Sequence, residues 1–221
     1  TPLPRPSGEA TRVVITEYDL PPVEHPYGLV TNIGQNRDWS KGSPARYFAR
    51  GSHDAEVDAN GMVWIADNVE NPLRTVARLN PNTGNVINFA VPRDGNDMPR
   101  VSHGVVIDAD DIVWFTASGG LGRVDANNID EVEVFDPPSE MARVGGSLDL
   151  DVKNGYVWAS STKGALRFDP KTNTFQEFPS LTQVPSTRPN RLPVSQTYGV
   201  ATDSEGNGWW AQMAVDIMSH S

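Results

Sequence analysis

Two histidines and a tyrosine stand at the heads of segments that otherwise read alike. His53 opens HDAEVDANGMVWIAD, His103 opens HGVVIDADDIVWFTA, and Tyr198 opens YGVATDSEGNGWWAQ. A fourth related segment, SLDLDVKNGYVWASS from Ser147, breaks the series, because Gly146 or Ser147 holds the matching position. The stretches just before these heads carry Arg50, Arg100, Arg143, Arg188 and Arg191. An imidazole serves as a general base or a metal ligand, and a guanidinium grips carboxylates or polarises a carbonyl. Brought to one place, these groups would make a site for an anionic or carbonyl-rich ligand. His53 and His103 are then the catalytic candidates, and Tyr198, Arg100, Arg143 and Arg191 the ligand-binding ones. The competing reading is structural, with the same polar side chains satisfying backbone groups and water. Two histidines without a series of carboxylates beside them are a weak metal signal.

The elements that must position these residues are set by a repeat. Asp58, Asp108 and Asp203 each lie six residues before a tryptophan (Trp64, Trp114 and Trp209), whereas Asp151 lies seven before Trp158. The tryptophans recur at intervals of about 50, 44 and 51 residues, the range of a propeller blade with variable loops. Each unit reads as short strands. The first ends at the Asp and turns through Ala59-Asn60-Gly61 or its equivalents, residues that tolerate the backbone of a tight hairpin. The second is rich in β-branched and aromatic residues (MVWIA, IVWFT, YVWAS), as strands prefer. A third follows as VARLNP, GRVDA or ALRFDP, and a fourth as VINFAVP, VEVFDPP or FQEFP. Helical periodicity is absent.

The expected fold is therefore all-β, a β-propeller of four-stranded blades. After a Pro-rich lead-in at 1–11, the propeller segment runs over 12–221, with blades at about 53–92, 103–138 and 147–179 and a partial one at 198–221. RVVITEYDLP, from Arg12 to Pro21, reads as the outer strand of an earlier blade. That is about three and a half blades of an expected seven, so the ring is expected to be completed by further blades or by another chain. In this reading the Asp series accepts backbone N–H groups in the turns, and the Trp series is core between blades. Function sits in the loops that gather at the channel face.

Composition narrows the partners. The chain of 221 residues carries 18 Lys+Arg against 28 Asp+Glu, a formal net charge of −10. Nucleic-acid binding requires a basic footprint, so this balance argues against it. Without cysteine, disulfides and thiolate metal sites are excluded. No apolar run reaches the length of a membrane-spanning helix. A periplasmic or secreted location is the expectation.

The string ITEYDLP, the His-Asp and His-Gly heads followed by V-D-x-x-G-x-V-W-F/I-T/A, and GRVD or ARLNP-x-TG together resemble the blade of the streptogramin B lyase (virginiamycin B lyase) family. The resemblance covers about residues 12–212 and implies a seven-bladed propeller. It also implies Mg²⁺-assisted elimination on cyclic streptogramins by His and Glu residues at the channel face. By resemblance, His53 and His103 match the inner-strand positions that supply such histidines. The Glu that commonly follows the WFT of the family is missing, and Asp67 is the carboxylate that remains as a metal candidate. Mg²⁺ or Ca²⁺ would need several convergent oxygens. Three functions follow, in order. The first is a propeller module of a larger secreted or periplasmic protein, binding a small molecule or protein at its channel face. The second is a lyase-like enzyme (a C–O lyase) completed by further blades. The third is a metal-dependent lactonase or hydrolase, for which Asp67 and Asn68 are the close pair.

Overall fold

Each repeat is organised by its aspartate. Asp58 Oδ1 accepts the backbone N–H groups of Asn60 and Met62 at 3.0 and 2.9 Å, while Oδ2 takes the Trp64 indole N–H at 2.9 Å. Asp108 does the same for Asp110, Ile112 and Trp114, each at 3.0 Å. Asp203 repeats it for Glu205, Asn207 and Trp209 at 3.0, 2.9 and 3.0 Å. One carboxylate thus closes the hairpin and pins the tryptophan of the next strand. The spacing of six residues is what lets a single side chain reach both.

Blade three, with its spacing of seven, departs from this. Asp151 accepts the Asn154 backbone N–H at 3.0 Å and the Asn154 side-chain amide at 2.8 Å. The extra residue carries the Trp158 indole out of reach, and its Nε1 is buried without a hydrogen-bond partner among the described residues.

The structure, a computed structural model, describes residues 8, 16, 18, 20, 52–68, 72–93, 95, 98–180 and 196–213. Three four-stranded antiparallel sheets and one two-stranded sheet follow in chain order. The first comprises β1 (Ser52–Val57), β2 (Val63–Asp67), β3 (Val76–Leu79) and β4 (Val86–Phe89). The second is β5 (Val105–Ile107), β6 (Ile112–Ala117), β7 (Gly120–Asp125) and β8 (Asn128–Phe135). The third is β9 (Val144–Asp151), β10 (Tyr156–Ser161), β11 (Gly164–Asp169) and β12 (Thr174–Pro179). The last holds β13 (Gln196–Thr202) and β14 (Gly208–Met213). Strands within each sheet pair in sequence order, and the innermost strands β1, β5, β9 and β13 lie successively beside one another. This is the blade arrangement of a β-propeller.

The core lies between blades. Trp64, Val76 and Phe89 of the first blade pack with Val105, Val113 and Phe115 of the second. Trp114 and Leu121 of the second pack with Leu148, Val157 and Phe168 of the third, and Trp158 packs with Val200 of the last. The tryptophans Trp64, Trp114 and Trp158 are buried, whereas Trp209 is 64% exposed. Trp210, on the other face of β14, packs inward and donates its indole N–H to Ser180 Oγ at 3.0 Å.

Of the segment expected to be an earlier outer strand, the described residues Thr16, Tyr18 and Leu20 carry no strand assignment. Leu20 is buried and the Tyr18 hydroxyl donates to the Pro81 carbonyl at 2.7 Å. The rest of that segment lies outside the described residues. Among the described residues no helix is long and apolar enough to cross a membrane.

Candidate functional site

The register settles which residues share the head of the inner strand. Glu56, Val106, Asp149 and Ala201 lie opposite Trp64, Trp114, Trp158 and Trp209, so His53, His103, Gly146 and Tyr198 are equivalent. His53 and Tyr198 both sit where the ladder slips, between Ser52 and Asp54 and between Thr197 and Gly199. Such bulges re-aim a side chain at a strand end. At His103 a hydroxyl serves instead of the ladder. Thr116 Oγ1 accepts the N–H of His103 at 2.7 Å and of Gly104 at 3.2 Å.

These heads converge. The imidazoles of His53 and His103 have ring centroids 3.4 Å apart and are inclined by 36°. Tyr198 stands edge-on to His103 with centroids 6.0 Å apart. His53 is exposed, His103 half-buried, and Tyr198 is 54% exposed. His103 Nδ1 lies 2.9 Å from the Gly146 carbonyl oxygen. A carbonyl can only accept, so Nδ1 carries the proton, and the neutral ring presents Nε2 as its free base.

Glycine makes this contact fit. A Cβ on Gly146 would stand 2.8 Å from His103 Nδ1, and one on Gly104 would stand 2.6 Å from the Gly146 carbonyl oxygen. The break in the His/Tyr series at blade three is therefore the place where the neighbouring imidazole lies. Sequence reading took Gly146 as a loss of the motif; the structure makes it the partner of His103.

The electrostatics favour a neutral His103. Burial lowers its pKa, and the neighbouring His53 lowers it further. The Gly146 bond and the charge of Asp54 act in the opposite direction without reversing the shift. Asp54 was not singled out in the sequence, although it directly follows His53. Its Oδ2 accepts the Val105 N–H at 3.1 Å, joining the first two inner strands.

Of the arginines expected near the histidines, Arg100 and Arg143 are among the described residues, and the contacts they make there are with the loops around Asp136. Arg100 forms a forked pair with Asp136, Nη1 to Oδ1 at 2.6 Å and Nη2 to Oδ2 at 2.7 Å. It also donates to the carbonyls of Ala117 and Pro92 at 3.1 and 3.2 Å. Its fork thus clips the loop before blade two onto the ends of β6 and β8. Arg143 is exposed and reaches the Pro137 carbonyl at 3.4 Å. The Arg100 hydrogen bonds, reinforced by the charges of Arg100 and Arg143, hold the Asp136 carboxyl below its ordinary pKa. The loop geometry gathers both cations around an acid that the sequence reading had not paired with them. Arg50, Arg188 and Arg191 lie outside the described residues.

Asp67, the candidate metal carboxylate, is buried and ion-paired with the equally buried Arg74. A metal ion would have to compete with that guanidinium. Among the described residues no group of three or more His, Asp or Glu side chains is placed to hold a metal. Asn68, the other half of the expected pair, is exposed.

Neither a protein-family model nor a curated protein matches the chain. Solved structures do. Virginiamycin B lyase from Staphylococcus aureus superposes with a TM-score of 0.56 at 17% identity, over 74% of this chain and 49% of that one. Another streptogramin B lyase structure gives 0.55 at 12%, over 75% and 49%. The fold is that of the streptogramin B lyase propellers. The chain spans about half the length of those lyases. The extracellular domain of a putative hybrid two-component system from B. thetaiotaomicron shares this lyase-type fold, with a TM-score of 0.55 at 14% identity, over 77% of this chain and 21% of that one. Lyase-type blades therefore occur in an enzyme and in the extracellular part of a sensor, and the fold alone does not choose between them.

Proposed function

We propose that this chain is a propeller module that binds a carbonyl-rich small molecule at its channel face. The observation that carries the reading is the close His53–His103 pair, with one imidazole nitrogen fixed by Gly146 and Tyr198 exposed beside it. A phenol O–H can donate to an ester or amide carbonyl, and a neutral imidazole nitrogen can accept from an amide N–H. The neighbouring extracellular domain supports a periplasmic or secreted setting, with the module forming part of a larger protein whose other blades, or a partner chain, complete the ring.

Quinupristin, the compound in a structure of inactive virginiamycin B lyase, is the natural first probe. Binding measured by calorimetry is expected to weaken at least tenfold in His103→Ala and more modestly in Tyr198→Phe. Binding that is absent in the parent chain, or unchanged in His103→Ala, would overturn this reading.

The second reading is lyase-like elimination, favoured by the fixed tautomer of His103. Its unprotonated Nε2 is suited to take a proton from carbon. Mg²⁺ would be needed at the substrate carbonyl, its remaining ligands coming from water, substrate or other blades. Mg²⁺-dependent consumption of quinupristin that disappears in His103→Ala distinguishes this enzyme from a binding module. No counterpart of those observations favours the lactonase.

A further inference from the structure

The ends of the blades opposite the histidines are zipped together at two junctions and open at a third. Between blades one and two, Asp111 Oδ1 accepts the Ala59 N–H at 3.0 Å and Asn127 Oδ1 accepts from Asn60 Nδ2 at 3.1 Å. Between blade three and the last sheet, Lys153 Nζ donates to the Glu205 carbonyl at 3.0 Å. Among the described residues no hydrogen bond joins the Asp108 turn of blade two to the Asp151 turn of blade three. The gap there is a cavity of about 450 Å³, within the size range of small-molecule sites.

Its walls are apolar. Ile107 and Ile112 come from blade two, and Leu150 and Tyr156 from blade three, all half-buried. The charged lining is unbalanced. Arg123 is paired with Glu133 at 2.7 Å through Nε, and the other charged residues of the lining are Asp108, Asp110, Asp151 and Lys171. Asp108 and Asp151 hold their own turns. Asp110 is exposed, and among the described residues its carboxylate has no partner.

We propose that this inter-blade cleft binds a small organic cation, an ammonium group attached to an apolar body. The body lies against Ile107, Ile112, Leu150 and Tyr156, where burial of apolar surface drives association. The ammonium meets Asp110 at the mouth. The site lies at the other end of the inner strand from His103, so it is independent of the channel-face ligand.

Benzylamine is the probe, with benzyl alcohol as its neutral isostere and benzoate as its anionic counterpart. In ¹H–¹³C spectra of the full chain, benzylamine is expected to shift the methyl signals of Ile112 and Leu150 saturably. Benzyl alcohol should bind more weakly and benzoate weakest. Asp110→Asn should weaken benzylamine about two- to fivefold, the range for one exposed ion pair. Asp110→Lys should weaken it further, and His103→Ala should leave it unchanged. Absence of saturable shifts at tens of millimolar, equal affinity for the alcohol, or indifference to Asp110→Asn would each overturn the proposal.

Discussion

At the scale of single residues, the chemistry gathers on His103. Its Nδ1–H is held by the Gly146 carbonyl, its ring lies tilted against His53, and partial burial favours the neutral form. Removing the neighbouring imidazole should therefore raise the pKa of His103, through relief of charge repulsion and greater access of water. A proton-NMR titration of the ring Cε1–H in His53→Ala should show this upward move. A downward one would mean that the contact with His53 stabilises the imidazolium. Of the expected arginine ring, Arg100 and Arg143 lie among the described residues, and Arg100 is held by an acid. Arg100 was visible in the sequence, but its acidic partner was not. Asp136 lies 36 residues beyond Arg100, and only the closure of blade two brings them together.

At the scale of the blade, one inserted residue has a legible cost. In blades one and two the aspartate binds the tryptophan indole; in blade three Asp151 does not, and Trp158 Nε1 is buried without a partner among the described residues. Trp64→Phe removes a made hydrogen bond and leaves the Asp58 carboxylate less satisfied. Trp158→Phe removes only a donor that had no acceptor. The first substitution should cost about 1.5–3 kcal/mol more than the second, the net worth of a hydrogen bond to a charged group. Urea unfolding of the two variants measures the difference. Equal losses would mean that the indole–aspartate bond contributes nothing to stability. The aspartate spacing made this contrast visible in the sequence, whereas the hydroxyl of Thr116 as a ladder substitute was not. A threonine after a strand tryptophan looks like any strand residue until its partner strand is in place.

At the scale of the whole molecule, stability should fall in two steps as the solution is acidified. His103 has a lowered pKa in the folded state, so the unfolded chain takes up its proton first, and stability falls as pH drops through about 6.5. The depressed carboxyls of Asp136 and Asp203 give the second step. Their contribution is present above the unfolded value of about 4 and is lost as pH falls toward the folded value. Thermal unfolding followed from pH 8 to pH 3 should show both declines, and His103→Asn should flatten the upper one. An unaltered upper decline in that variant would assign it to other groups. Asp136 is exposed and Asp203 half-buried, so both are within reach of solvent ions and salt should shrink the lower step.

The sequence by itself determined the blade. Alternating β-branched and aromatic residues, an aspartate at the hairpin and a tryptophan at fixed spacing are local constraints, because one turn and two adjacent strands satisfy them. Hence the fold class, and the turn role of Asp58, Asp108 and Asp203, could be read from the chain. What joins one blade to the next was decided only by tertiary structure. The His53–His103 contact, the hydrogen bond from His103 to the Gly146 carbonyl and the cleft beside Asp110 all link residues from different blades. Their partners are fixed by how closely neighbouring blades approach. That distance depends on packing between sheets, on glycines that lack a Cβ, and on a single residue of turn length in blade three.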